Sequence, residues 1–277
     1  METNLPSQNL AETNDAKIIK LNRIVLQEEW LEARKQLLLK EKEITRLTDE
    51  VNEERRRLPW VKIDKQYVFD TPEGKQTLAD LFDGRSQLIV KHFMFSPGWE
   101  EGCVGCSFGS DHIDGANLHL AHHDVTLLAV SRAPLEEIEA FRKRMGWHFK
   151  WVSSFNTDFN FDFHVSFRKE DLENGKVFYN YKMRHLQSEE MSGLSVFYKD
   201  EEGTVYHTYS TFARGDEKTA TAYMYLDITP TGRNETGPNF DLTDWVRHHD
   251  KYNDNGFVNA LGRYVAEEKN KSDACCH

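Results

Sequence analysis

Between Ile24 and Arg57 apolar residues recur three or four positions apart. Leu26, Trp30 and Leu37 are followed by Ile44, Leu47 and Val51 on roughly one face. The spacing predicts a long helix with a thin apolar stripe. From Lys40 to Arg57, 12 of 18 residues are charged and both signs are mixed, so most of that helix faces water. Leu58-Pro59 ends it, because the residue before a proline is pushed out of helical geometry. Isolated helices are marginal in water, so the stripe is expected to pack on the following domain or on a second copy of the chain.

After Trp60 the pattern changes to short apolar runs separated by turn residues. Tyr67–Phe69 reads as a strand before the turn Pro72-Glu73-Gly74, and Thr77–Phe82 as a short helical turn. Gln87–Phe95 (QLIVKHFMF) is an apolar run of strand length, broken by Pro97-Gly98. A helix is expected to start near Cys103 and to run past His119. Asp124–Ser131 is a strand of buried type, and Pro134 opens a helix with Leu135, Ile138, Phe141 and Met145 on one face. Trp151–Ser154 is a short strand, and Leu194–Tyr198 and Val205–Tyr209 form a hairpin. Residues 216–227 and Trp245–Tyr252 read as helices. Strands alternating with helices and closed by a hairpin predict an α/β fold with a central mixed sheet. The expected organisation is a disordered segment over 1–20, a helical extension over 21–57, one α/β domain over 58–252 and a tail over 253–277.

Of the 277 residues, 35 are Lys or Arg and 46 are Asp or Glu, for a net charge of −11. That balance argues against nucleic acid and anionic membranes as partners. No apolar run reaches the length of a spanning helix, and the N-terminus lacks the basic start and apolar stretch of a secretory signal. There are four cysteines: Cys103 and Cys106 in a CVGC motif, and Cys275 and Cys276 beside His277 at the end. That is no disulfide framework for a chain of this size, and a cytoplasmic location is expected.

A CxxC directly after the first core strand of a βαβ unit is the thioredoxin arrangement. The segments HFMFSPGWEEGCVGCSFGSDHIDGANLHL, DVTLLAVSRAPLEEIEAFRKRMGW, WVSSFNTDFNFDFHVSF, GLSVFYKDEEGTVYHTYSTFARG and WVRHHDKY resemble the DUF899 family from about Leu58 to Tyr252. That resemblance implies a thioredoxin-like fold with an N-terminal helical extension, related to the peroxiredoxin and thiol-antioxidant group.

In this arrangement Cys103 sits at a helix start, where backbone N–H groups and the helix dipole favour a thiolate. Cys106 would then resolve a mixed disulfide. Cys103 is expected to be the exposed, more acidic thiol and Cys106 the buried one. Glu100 and Glu101 would oppose the thiolate, and Lys91 or His92 could offset them. Three features depart from ordinary thioredoxin. Seven residues, SPGWEEG, stand between Phe95 and Cys103 and are expected to loop over the site. No proline occurs between Pro134 and Pro230, so Ser192-Gly193-Leu194 occupies the usual cis-proline place. The dipeptide inside the motif is Val-Gly.

Asp158, Asn160, Asp162 and His164 would share one face of an extended segment, with a surface loop over buried aromatics as the alternative. Copper-delivering Sco proteins pair two cysteines with a distant histidine, and His164 and His185 lie upstream of the hairpin here. Cys103, Cys106 and His164 are therefore an alternative copper or zinc set. His122 and His123 read as helix C-terminal caps, and His248-His249 as a surface pair on a helix. Phe93, Phe95, Trp99 and Phe108 could wall an apolar pocket. The leading expectation is a thiol-disulfide oxidoreductase or thiol peroxidase-like protein with catalytic Cys103 and Cys106, a small-molecule or thiol substrate and no cofactor. The alternatives are a copper- or zinc-binding protein and a non-catalytic interaction protein whose N-terminal helix is the partner surface, including for a second copy.

Overall fold

The computed structural model describes residues 23–233, 235, 245–254, 256–259 and 263–265. The expectations for residues 1–20, and those for Cys275, Cys276 and His277, lie outside the described residues. The chain divides into two compact units: one holds 23–57 with 224–233, the other 58–223 with the described residues from 235 onward. In the first unit helix α1 spans Gln27–Arg56. Glu28 and Glu29 lie in its first turn and Arg55 and Arg56 in its last, each matching the helix dipole. None of its residues is buried.

The second unit is built on an eight-stranded mixed sheet. Its strands are β1 (Val61–Lys62), β2 (Val68–Thr71), β3 (Gly74–Thr77), β4 (Gln87–His92), β5 (Val125–Ser131), β6 (Trp151–Ser153), β9 (Gly193–Lys199) and β10 (Val205–Phe212). A separate hairpin, β7 (Val177–Tyr179) and β8 (Lys182–Arg184), stands between β6 and β9. The sheet order is β1-β10-β9-β4-β5-β6-β2-β3. β4, β5 and β6 run parallel. The β9–β10 hairpin joins β4 antiparallel, and the β2–β3 hairpin joins β6 antiparallel. A parallel β-α-β-α-β unit closed by an antiparallel hairpin beside its first strand is a thioredoxin-like fold, as the sequence predicts.

Helices α2 (Val104–Ser110) and α3 (Ile113–Leu120) cross from β4 to β5, and α4 (Leu135–Arg144) crosses from β5 to β6. Where one long helix is expected after the cysteines, the chain breaks between Ser110 and Ile113. A 3-10 turn, Ala121–His123, follows α3, and its exposed histidines end the crossover. Pro134 stands just before α4, as its fixed φ suits a helix start.

Two apolar clusters sandwich the sheet. On one face Leu88 and Val90 of β4 pack with Leu128, Val130, Val152 and Phe197 under Phe69, Phe82 and Phe159. On the other, Phe93, Phe95, Ala129 and Trp151 pack with Ile138 and Phe141 of α4, and both motif cysteines belong to this cluster. His92 points to the first face, where His92, Ser195, Ser210 and His207 form a hydrogen-bonded chain. Trp245–Tyr252 does not form the expected helix; it contains only a 3-10 turn, His249–Lys251. No described helix is long and apolar enough to cross a membrane.

Candidate active site

The loop after β4 delivers the motif by folding back on itself. Phe93 N–H donates to Val130 O at 3.0 Å and Ala133 N–H to Phe95 O at 2.8 Å, which extends the parallel pairing past β4. The chain then turns out through Pro97-Gly98 and returns, so that Cys103 N–H donates to Met94 O at 3.0 Å. The seven intervening residues thus cost no distance: Cys103 still stands at the end of the strand. Gly102 makes the return feasible, since a Cβ there would lie 2.5 Å from the Phe93 ring. Cys103 caps α2, and its carbonyl accepts from both the N–H and the hydroxyl of Ser107 at 2.9 Å.

Both thiols are free, and both are buried, at 6% and 4% exposure for Cys103 and Cys106. The expectation of an exposed Cys103 is therefore corrected: the aromatic cluster and the returning loop cover it, and it is reached through a cavity. The two thiols lie within one turn of each other, and the Cys106 side chain stabilises a thiolate on Cys103. The Cys106 side chain pulls Cys103 down to about 7 against the opposing effect of burial, and the N–H groups of Cys106 and Gly105 and the nearby His248 add to the fall. Cys106 moves the other way, well above an ordinary thiol, because the Cys103 side chain beside it and its burial both disfavour a second thiolate. Met94 N–H, 3.5 Å from Cys106 Sγ, and the charge of Lys91 act against that rise.

The neighbouring charges also differ from expectation. Glu100 is exposed, whereas Glu101 is engaged by three cationic or imidazole groups. Arg144 Nη1 lies 2.5 Å from it, Lys251 Nζ 2.6 Å and His248 Nδ1 3.4 Å. Burial raises the Glu101 pKa, but these partners outweigh it and hold the carboxyl at about 2. Its charge is spent on them and not on the thiolate. His248 is fully buried, with Nε2 2.9 Å from Gly102 O, so the reading of His248-His249 as a surface pair is corrected for His248. His92 does not offset anything at the sulfur. It lies on the opposite face of the sheet and is held neutral by burial, its pKa lowered to about 3.

A cavity of about 420 Å³ opens beside the motif. Cys103, Gly105 and Cys106 border it with Phe108, Met191 and Tyr223. Ser192, in the place where thioredoxins carry the cis-proline, is also on its wall, and no cis peptide bond occurs among the described residues. Of the aromatic residues expected to wall a pocket, Phe108 borders this cavity, while Phe93, Phe95 and Trp99 pack in the core cluster that holds the cysteines.

The alternative metal set is not brought together. Among the described residues no group of three His, Cys, Asp or Glu side chains could hold a metal ion. His164 is exposed against Phe178, following a short helix α5 (Phe159–Asp162) that packs on the sheet face opposite the cysteines. That segment is helical and not extended. Asp158 and Asp162 share Lys65 at 3.0 and 2.6 Å, Asn160 accepts from Ser154, and Phe159 is buried, which is the surface-loop alternative with its aromatics inside. His185 does reach the cavity wall.

Sequence reasoning named Lys91 as a neighbour of the motif and missed His248. Lys91 left a signal, since it interrupts the apolar run QLIVKHFMF. His248 left none, because its contact joins residues 146 positions apart.

Several solved structures show low similarity to this chain. Peroxidoxin BcpB from Mycobacterium tuberculosis aligns with a TM-score of 0.38 and 12% identity over 60% of this chain and 96% of that one. Peroxiredoxin Q from Xanthomonas campestris aligns at 0.39 and 13% over 59% and 90%. A yeast mitochondrial 1-Cys peroxiredoxin aligns at 0.35 and 17% over 61% and 78%. No curated protein matches the sequence. The model of a family of bacterial proteins of unknown function, DUF899, matches residues 19–252, and the chain belongs to that family.

Proposed function

We propose that the chain is a thiol-dependent oxidoreductase of small molecules, with Cys103 as nucleophile and Cys106 as resolving thiol. The observation that carries the reading is the placement of the pair: two free thiols three residues apart at the start of α2, both on the wall of the cavity. The Cys106 side chain and the helix-start N–H groups favour a Cys103 thiolate, with its pKa lowered to about 7, while Cys106 is raised. At neutral pH such a pair supplies one thiolate and one reserve thiol. Burial of both sulfurs behind a cavity of about 420 Å³ favours a small substrate over a protein disulfide.

With a disulfide, the Cys103 thiolate attacks one sulfur, the substrate S–S bond breaks, and the leaving thiolate takes a proton. Cys106 then loses its proton, attacks Cys103 Sγ and expels the second thiol. The substrate gains two electrons and two protons, and the protein gains a Cys103–Cys106 disulfide. With a hydroperoxide, the Cys103 thiolate takes the terminal oxygen as the O–O bond breaks, a proton from solvent completes the sulfenic acid and the leaving alcohol, and the Cys106 thiol then attacks Cys103 Sγ and displaces water to form the disulfide. In both cases an external dithiol restores the two thiols.

The test uses a background in which Cys275 and Cys276 are serine, with 4,4′-dithiodipyridine as a neutral disulfide. Two equivalents of thiopyridone per chain and an internal Cys103–Cys106 disulfide by mass spectrometry are expected. Cys106→Ser should stop at one equivalent with a mixed disulfide on Cys103, and Cys103→Ser should slow the reaction at least tenfold. A reduced protein that keeps stoichiometric copper or zinc, lost in Cys103→Ser, would replace this reading with metal binding.

A further inference from the structure

Lys91 is a lysine in the middle of a sheet. It stands on β4 in register with Ala129 on one side and Leu194 on the other, and it is only 5% exposed. Burying an ammonium among apolar neighbours is costly unless something compensates it. Among the described residues its ammonium forms no hydrogen bond and no ion pair within 4.0 Å. The side chain lines the cavity beside Cys103 and Cys106. The backbone of α2 makes room for it: a Cβ on Gly109 would come within 2.9 Å of Lys91 Nζ. Alanine is a far better helix former than glycine, so Gly109 is a local cost accepted where the ammonium reaches the cavity.

Two carboxylates share the wall, and neither forms an ion pair with Lys91 within 4.0 Å. Glu217 is held by Arg214, with Nε 3.0 Å from Oε1. Asp216 forms no ion pair with Lys91 within 4.0 Å; burial pushes its carboxyl toward the neutral form, and the charge of Lys91 acts against that rise. The remaining surface is mainly apolar, with Met94, Phe108, Leu186, Met191, Ala220 and Tyr223. A buried cation with no ion-pair partner among the described residues, in a mainly apolar cavity, describes the complement of a small monoanion with an apolar body.

We propose that Lys91 anchors the carboxylate of a small substrate whose apolar remainder lies along the Phe108–Tyr223 wall. The substrate's reducible S–S or O–O bond then falls at Cys103, a clause that rests on the redox reading above; the anchor itself does not. A charge-assisted hydrogen bond in a water-poor cavity outweighs a neutral one, and the lysine's burial is relieved by the same contact.

The anchor is tested with redox-inert probes on the full, reduced chain: 2-naphthoate against its neutral analogue 2-naphthamide, by calorimetry. Naphthoate should bind about tenfold or more tightly than naphthamide. It should also slow iodoacetamide modification of Cys103. In Lys91→Met the preference should fall to about one, while Lys91→Arg should keep most of it. Equal affinity of the wild-type chain for the two probes, or no binding of either, overturns the anchor without any variant. A preference unchanged in a folded Lys91→Met chain also overturns it. The redox reading fails separately. Naphthoate preference without a Cys103–Cys106 disulfide under dithiodipyridine keeps the anchor and removes the oxidoreductase; disulfide formation without preference does the reverse.

Discussion

At the residue scale the chemistry of the motif comes from the difference between its two buried thiols, Cys103 lowered and Cys106 raised. A helix start alone stabilises an exposed anion by about 0.3–1 kcal/mol. The structure adds the Cys106 thiol, two backbone N–H groups and His248, and removes the carboxylate that would have opposed them. Alkylation of Cys103 by iodoacetamide should therefore rise with pH and reach half its maximal rate near pH 7. Cys106 should remain unreactive through pH 9, since its pKa is raised well above the ordinary thiol value of 9.0. Peptide-resolved mass spectrometry across pH 5.5–9.5 would check both. His248→Gln should move the Cys103 midpoint upward; an unmoved midpoint would take His248 out of the site. The CVGC pair was legible in the sequence because its meaning is local: spacing, position after a strand, and a helix to follow. The burial of Cys103 was not, because it depends on Phe93, Phe95 and Trp99 turning inward, and an aromatic residue has no preference of its own for wall over core.

At the element scale the parallel core read well, and the segments around it did not. β4, β5, β6 and the β9–β10 hairpin are apolar runs bounded by turn residues, and α4 has both a periodic face and Pro134 before it. The β7–β8 hairpin carries Phe178, Tyr181 and Met183 exposed, so hydrophobicity gave no alternation to read. Trp245–Tyr252 has helical spacing, but Val246 and His248 are fully buried, and His248 and Lys251 bind Gly102 and Glu101 instead of continuing a helix. Long-range partners there override a weak local preference. The returning loop before Cys103 depends on Gly102 in the same way. A Cβ at 2.5 Å from the Phe93 ring meets a rigid, buried side chain that cannot swing aside. Gly102→Ala should destabilise the fold by about 1–3 kcal/mol, as overpacking does. It should also shift the Cys103 alkylation midpoint, because the strand-end contact to Met94 moves. Urea unfolding and the same alkylation series would measure the two effects, and an unchanged midpoint would show that the loop does not position the sulfur.

Across the whole molecule, the sheet separates two kinds of buried polarity. The cysteine face holds Lys91 open to a cavity, while the opposite face seals His92 against Phe159 and Phe163. His92 hydrogen-bonds Ser195 at 2.8 Å, and among the described residues its Nδ1 has no further partner, so nothing there favours an imidazolium. Its pKa falls from 6.5 in the unfolded chain to about 3 in the folded one. The depression makes the contribution of His92 to stability complete above pH 6.5 and progressively lost as pH falls from 6.5 toward 3, because the unfolded chain binds a proton that the folded one refuses. At pH 4.5 that loss is roughly 2–3 kcal/mol for a two-unit interval. His207, at the other end of the serine chain, is also lowered by burial and adds in the same direction. Urea midpoints of the wild-type chain should therefore drop steeply between pH 7 and pH 4.5. His92→Gln keeps a hydrogen-bonding group toward Ser195 and removes the titration, so its stability should depend on pH less over the same interval even if it is lower at pH 7. Parallel curves for the two chains would mean that acid sensitivity arises elsewhere, and the buried histidine face would then have no part in setting the pH range over which the fold, and the cavity on its other side, persists.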